Sequence, residues 1–401
     1  MFGFLKPSAP ERVYLDWAAA TPLLPAAKAA MLPYLETHFG NPSAIHKEGQ
    51  VGRLAVEEAR GGVAAALQVR PEFITWTSGG TEGNNLAIFG VVESLHRQGR
   101  SYDLMTVITT NIEHPSVGKA CEALKSRGVQ VKALNVTETG TVDIAHLQSL
   151  LDETTILFST ALINSEIGTI QPVRAIHKTL AAAEKKYGTQ IMLHLDAAQA
   201  PLWVNCQFDG LKADFVTLDA AKCCGPKGVG VLVRSRRAHV VSVVHGGGQE
   251  SGLRPGTENV AGIVGAAVAI ASTQASWRER SEQVATVRDA AIAHLRAEIP
   301  QLLLNGTEGE YRVSNNINVS IPGLDTEFAA VVLDTHGFAV STKSACSGAG
   351  GGASTVVLET TTDPARASST LRITLGPDTT LAQLQSLTVV LKQHVEQMSQ
   401  Y

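Results

Sequence analysis

The chain has 401 residues, 44% hydrophobic and 17% charged, with 33 Lys and Arg against 37 Asp and Glu and a net charge of −4. This is a globular balance; it excludes a disordered chain and provides no basic stripe of the kind a nucleic-acid groove needs. Five scattered cysteines (Cys121, Cys206, Cys223, Cys224, Cys346) form neither zinc-type CxxC pairs nor a dense disulfide framework, which points to a reducing compartment.

The N-terminal MFGFLKPSAPERVYLDW has a lysine and a proline within its first seven residues and lacks a long apolar core. No signal peptide or membrane anchor is expected from it, and the expected location is cytoplasmic. From about residue 60 to 235, short β-branched runs alternate with amphipathic stretches. FITWTS (73–78), TVITT (106–110), VQVKALNV (129–136), TILFST (155–160), IMLHLD (191–196), FVTL (215–218) and GVGVLV (228–233) read as strands. VRAIHKTLAAAEKKYG (173–188) reads as a helix with Gly188 as its stop. The alternation predicts an α/β fold: a mostly parallel sheet covered by helices, with ligands at the carboxyl ends of the strands.

After about residue 260 the texture changes. An alanine-rich segment, 259–299, reads as one long helical stretch, followed by short strands near VSNNINVSI and FAVST and a last amphipathic helix in TTLAQLQSLTVVLKQHVEQM. The expected organisation is a large domain over 21–260 and a smaller α+β domain over 261–401, which the segment 1–20 joins. The low-complexity stretch is SGAGGGAST (347–355).

In TSGGTEGNN (77–85), glycines including Gly80 let backbone N–H groups approach an anion and Thr81 adds a hydroxyl; a tight capped turn reads from the same residues. His114 follows the strand TVITT, where an imidazole can stack on an aromatic ring and move protons, or serve as a structural hydrogen-bonding residue. Asp196 closes IMLHLD, and Lys222 sits one strand further on in DAAKCCGPKG. A carboxylate to face a ring nitrogen and an amine to hold an aldehyde as a Schiff base are what pyridoxal phosphate chemistry asks for. Asp196 reads equally as a helix N-cap, and Gln199 offers an amide to a ring hydroxyl. Arg372, in the apparent strand of STLRITLG, can clamp a carboxylate or lie on the surface. Cys346, in a stretch poor in apolar side chains and three residues after Lys343, is a thiol able to move or a small loop residue. Cys223 and Cys224 read as packing residues, and no metal site is expected.

Taken in order, YLDWAAATP (14–22), FGNPSAIH (39–46), TSGGTEGNNLAI, EHPSV, NSEIGTIQP, HLDAAQ, KCCGPKGVGVL, HGGGQESGLRPGTEN, STKSACS and LRITLG resemble the motifs of one family. It is the pyridoxal-phosphate-dependent cysteine desulfurases of the fold-type I, class V aminotransferase group, in the branch serving iron–sulfur cluster assembly. The resemblance covers nearly the whole chain. It implies pyridoxal 5'-phosphate bound through Lys222, with Asp196 at the ring nitrogen, Gln199 at the ring hydroxyl and His114 stacked on the ring. It implies phosphate contacts from Gly80 and Thr81, and from Thr257 reaching across a homodimer interface. Arg372 and Asn164 fall at the substrate, Ser165 near the ring, and Cys346 at the nucleophile. The implied reaction takes L-cysteine to L-alanine and leaves a persulfide on Cys346 for an acceptor or scaffold protein. Iron–sulfur clusters or other thio-cofactors are the implied destination. A related enzyme acting on another amino acid, such as a selenocysteine lyase or aminotransferase, and a non-catalytic binding homologue are the alternatives. The chain departs from the usual pattern in having Asp219, Ala220 and Ala221 where Ser-Gly-His is usual, Ser165 where a second asparagine is usual, and Lys343 in place of a glycine.

Overall fold

A computed structural model describes residues 12–342 and 352–398. At its centre is a seven-stranded sheet in the order Ile74–Thr77, Gly230–Arg234, Phe215–Asp219, Met192–Asp196, Thr155–Ala161, Thr106–Thr110 and Gln130–Leu134. Only Gly230–Arg234 runs against the common direction, antiparallel to both neighbours. Each of the seven runs read from the sequence forms one of these strands, with ends shifted by two residues or fewer. Ile74–Thr77, Thr106–Thr110 and Met192–Asp196 are buried along their whole length. Strands covered on both faces need no polar side, which is why they read as continuous apolar and β-branched runs.

One face of the sheet is covered by the helices Gly80–Arg97 and Pro115–Lys125, whose Leu86, Val91, Val117 and Leu124 pack with Val107, Leu157 and Phe215. The other face carries Lys47–Leu67, Val173–Tyr187 and Val260–Ala275, with Val63, Ile176 and Ile263 in the same core as Ile108, Phe158 and Val216. Gly188 ends Val173–Tyr187 at φ 66°, a left-handed conformation that glycine adopts without strain.

The stretch 259–299 is not one helix. It breaks at Ser276 into Val260–Ala275 and Trp277–Glu298, which meet at 68°. The apolar first half is buried against the helices Pro25–Glu36 and Lys47–Leu67 of the large unit, whereas the charged second half packs on the strand Asn316–Ser320 of a different sheet, so a straight rod could not serve both. Arg280 meets the freed end of the first helix by donating to Thr273 O at 2.5 Å. No single helix is long and apolar enough to cross a membrane among the described residues.

A three-stranded antiparallel sheet, in the order Thr370–Thr374, Asn316–Ser320 and Leu303–Leu304, follows in the chain. The helices Trp277–Glu298, Thr326–Thr335 and Leu381–Met398 accompany it. Val13–Tyr14 pairs in parallel with Phe338–Ala339, and Asp16 bridges to Thr374, so the beginning of the chain is tied to its last third.

At the outer strand of the large sheet, side chains take the place of a further strand. Arg60 donates to Ile74 O at 3.0 Å, Glu250 accepts Trp76 N–H at 2.8 Å, and the two side chains form a buried ion pair at 2.7 Å.

Candidate active site

The parallel strands end around one cavity, lined by residues that include Gly80, Thr81, His114, Asp196, Lys222 and Arg372. The loop after Ile74–Thr77 turns at Gly79, whose φ of 150° excludes a side chain, and opens the 18-residue helix Gly80–Arg97. Glu82 reaches back to accept the Ser78 N–H at 2.6 Å, as an acidic residue in a first helical turn does. Gly80 N–H is held by Asp219 Oδ2 at 3.1 Å. Thr81 is exposed on the cavity rim.

Asp196 is the last residue of its strand and is buried. Its Oδ1 accepts the Ala198 N–H at 3.0 Å and its Oδ2 accepts Asn84 Nδ2 at 2.7 Å. Asn84 Nδ2 also donates to Ser116 Oγ at 2.9 Å, and Ser116 Oγ is 2.8 Å from His114 Nδ1. A polar chain therefore runs from Asp196 to His114 through two residues that the sequence reading did not single out. Asn84 lies one helical turn after Gly80, so it shares the face that meets the strand ends; that spacing was the available signal. Burial pushes Asp196 up, while the Ala198 N–H, Asn84 and His114 draw it back. Burial holds His114 below the ordinary histidine range, Asp196 opposing and Lys222 adding to the effect. His114 also caps the helix Pro115–Lys125 by accepting Ser116 N–H at 3.1 Å, which is a structural role, and it lines the cavity as well.

Lys222 ends a short 3₁₀ turn directly after the strand Phe215–Asp219. Its Nζ donates to Ala18 O at 3.2 Å and to Ala19 O. Gln199 Nε2 donates to the same Ala18 O at 2.9 Å. Lys227 is not part of the cavity wall.

Arg372 is 2% exposed, which rules out the surface reading. It donates to Asp16 Oδ1 at 2.8 Å and to Ser165 O at 3.1 Å, and its Nε has no partner. Asp16, in the motif YLDWAAATP, is the residue that sequence reasoning passed over here. Ser165 lines the cavity and serves Arg372 through its carbonyl. Asn164 lines it too, but its Oδ1 accepts Glu166 and Ile167 N–H, both at 3.0 Å, and its Nδ2 donates to Ile112 O. Its amide thus shapes the turn. Thr257 is exposed and outside the cavity of this single chain.

Cys346 and Lys343 lie outside the described residues. The chain on either side of them is anchored at the cavity. Ser341 exchanges backbone hydrogen bonds with Arg372 at 3.0 and 2.6 Å. Ser354 caps the helix Thr355–Thr361 and donates to Glu166 Oε1, next to Ser165. Cys121, Cys206, Cys223 and Cys224 are buried, and burial pushes their thiols up, Cys121 to about 12. They are packing residues.

Beside His114, Glu113 is pushed up to about 7 by burial, against the hydrogen bonds of Thr110, Thr160 and the Ala161 N–H. Part of the side chain reaches the surface, so the energetic consequence is smaller than full burial gives. A carboxyl raised on folding adds stability that is complete below pH 4.5 and is lost as pH rises through about 7. Glu113→Gln is expected to flatten this window by on the order of 2 kcal/mol in urea unfolding. Equal pH dependence of wild type and variant would refute the assignment.

A mostly parallel sheet carrying a carboxylate and an amine on neighbouring strand ends defines a fold-type I transferase. The aminotransferase class-V family model matches residues 13–387. The chain is 38% identical over 386 residues to a cysteine desulfurase IscS of Dictyoglomus turgidum, covering 96% of this chain and 95% of the relative. It is 34% identical over 388 residues to a cysteine desulfurase IscS of Clostridium botulinum strain Hall, covering 96% and 95%. Among solved structures, a NifS-like protein superposes with a TM-score of 0.87 at 30% identity, covering 96% of this chain and 99% of that one. SspA in complex with cysteine superposes with a TM-score of 0.75 at 30% identity, covering 91% and 99%. This chain belongs to the class-V aminotransferase family.

Proposed function

We propose that this protein is a cysteine desulfurase: it moves the sulfur of L-cysteine onto its own Cys346, releases L-alanine, and works with pyridoxal 5'-phosphate. The carrying observation is that Asp196, Lys222, His114 and Arg372, from four separate stretches of chain, line one cavity. The relatives named cysteine desulfurase and the neighbour in complex with cysteine support the substrate.

The ring end of the cavity fits the cofactor. Two groups of its wall, Asn84 Oδ1 and Arg372 Nε, are buried without partners, as polar groups facing a ligand site can be. Lys222 would hold the cofactor, with Asp196, Gln199 and His114 around the ring and Gly80, Thr81 and a partner copy's Thr257 position toward the phosphate, in a homodimer. When bound, the cofactor supplies a cationic ring that accepts the electron pair released at the substrate Cα.

The chain's own residues do the rest. Asp196, fixed by Asn84 and the Ala198 N–H, presents a buried negative charge for a ring cation. The Lys222 amine takes the proton from Cα, and the imidazole of His114 carries a second proton. Arg372, held by Asp16, orients the carboxylate. Cys346 thiolate attacks the substrate sulfur; an S–S bond forms, the C–S bond breaks, and its electron pair stays with the carbon skeleton, which takes up one proton at Cβ, regains one at Cα and leaves as alanine. Supply of that sulfur to an acceptor protein for iron–sulfur clusters or other thio-cofactors completes the reading.

The test is direct. Incubation with cysteine is expected to yield alanine together with a persulfide on Cys346, and Cys346→Ala is expected to form no persulfide. Full sulfur release by Cys346→Ala with a thiol acceptor present would show that another group is the nucleophile.

A further inference from the structure

At one end of the cavity the protein supplies its own anion. Asp219 closes the strand Phe215–Asp219; its Oδ1 accepts the Ala221 N–H at 2.9 Å and its Oδ2 the Gly80 N–H at 3.1 Å. Gly80 is the first residue of an 18-residue helix, so its N–H is one of the donors that have no partner inside the helix and carry partial positive charge. A Cβ built on Gly79 or Gly80 would lie 3.6 or 3.4 Å from Asp219 Oδ2, in ordinary van der Waals contact, so the carboxylate borders this loop along both residues. The neighbouring donor, Ser78 N–H, is taken by Glu82 at 2.6 Å. Glu82 also engages the nearby guanidinium of Arg254 at 3.1 Å. Two carboxylates thus serve the loop donors, and Arg254 is already paired with one of them.

Resting on the reading of this cavity as a pyridoxal site, we propose that Asp219 sets selectivity at the cofactor's anionic end: it is a resident anion that a phosphate must displace. A phosphate monoester carries nearly two negative charges and cannot share one N–H with a carboxylate. The site therefore holds phosphate less firmly than the same loop with a neutral residue at this position, and it discriminates less between pyridoxal 5'-phosphate and unphosphorylated pyridoxal.

The experiment measures both aldehydes on the cofactor-free chain, by absorbance of the imine and by borohydride fixation, for wild type, Asp219→Ser and Asp219→Asn. Asparagine keeps the shape and the acceptor for Ala221 N–H, and serine keeps a capping oxygen, so the two variants place different demands on the fold. The ratio of phosphorylated to unphosphorylated affinity is expected to rise about tenfold or more in both variants, while pyridoxal binding alone changes by less than about threefold. The internal hemiacetal of free pyridoxal cancels when ratios are compared between variants. An unchanged or reduced ratio in either folded variant overturns the proposal. If wild type fixes neither aldehyde but the variants fix the phosphorylated one, the proposal holds in its extreme form. If wild type and both variants fix neither, the pyridoxal reading of the cavity is what fails.

Discussion

Replacing Lys222 by alanine is expected to lower alanine formation by about four orders of magnitude and to abolish borohydride-fixed cofactor. The argument is positional. Lys222 closes the 3₁₀ turn that follows a strand end, its Nζ rests on the carbonyls of Ala18 and Ala19, and the carboxylate of Asp196 closes the next strand of the sheet. The loss combines the covalent tether with the base, two roles that one amine fills. Lys227 is the control. It is close in sequence, but its Nζ meets Thr21 O at 3.4 Å away from the cavity wall. Lys227→Ala is therefore expected to keep activity within about twofold. Mass spectrometry of the reduced protein decides between them: a cofactor-modified peptide containing Lys227 rather than Lys222 as the attachment point would refute the assignment.

Arg372→Lys is expected to lower kcat/KM for cysteine about 100-fold, mostly through KM. A carboxylate is bound as firmly before the reaction as during it, so losing its clamp weakens binding more than turnover. Lysine keeps the charge but not the planar fork that lets Arg372 serve Asp16 and Ser165 while a third donor, Nε, has no protein partner. A comparison with cysteine methyl ester isolates the effect. Wild type is expected to prefer cysteine over the ester, and the variant to lose most of that preference. Equal preference in both would place the substrate carboxylate elsewhere.

The strands of the large sheet were legible because burial on both faces imposes a composition that single residues cannot disguise. The positions of Asp196 and Lys222 were legible for a related reason: strand ends are marked by the stop of that composition, and these two fall at the last residue of one strand and three residues past the end of its neighbour. Asn84, Ser116 and Asp16 were not. Each acts by holding another side chain, and a hydrogen bond between residues 32, 112 or 356 positions apart leaves no local pattern of its own; Asn84 alone carried a hint, its one-turn spacing from Gly80. The break at Ser276 was hidden too, because the residues on both sides favour a helix and only the location of the second sheet requires the chain to turn. Arg372 could be placed on its strand, but whether it faced water or the interior depended on packing that strand periodicity leaves open.

The contacts of Arg60 and Glu250 with the strand Ile74–Thr77 have a consequence beyond this molecule's interior. An open sheet margin is a template on which a second chain can add a strand and so begin a fibre. Here the outward carbonyl of Ile74 and the outward N–H of Trp76 are already answered by charged side chains, and those charges satisfy each other. An incoming strand would have to evict a buried ion pair before its first backbone bond could form, so this margin is closed to strand addition without a proline or a bulge.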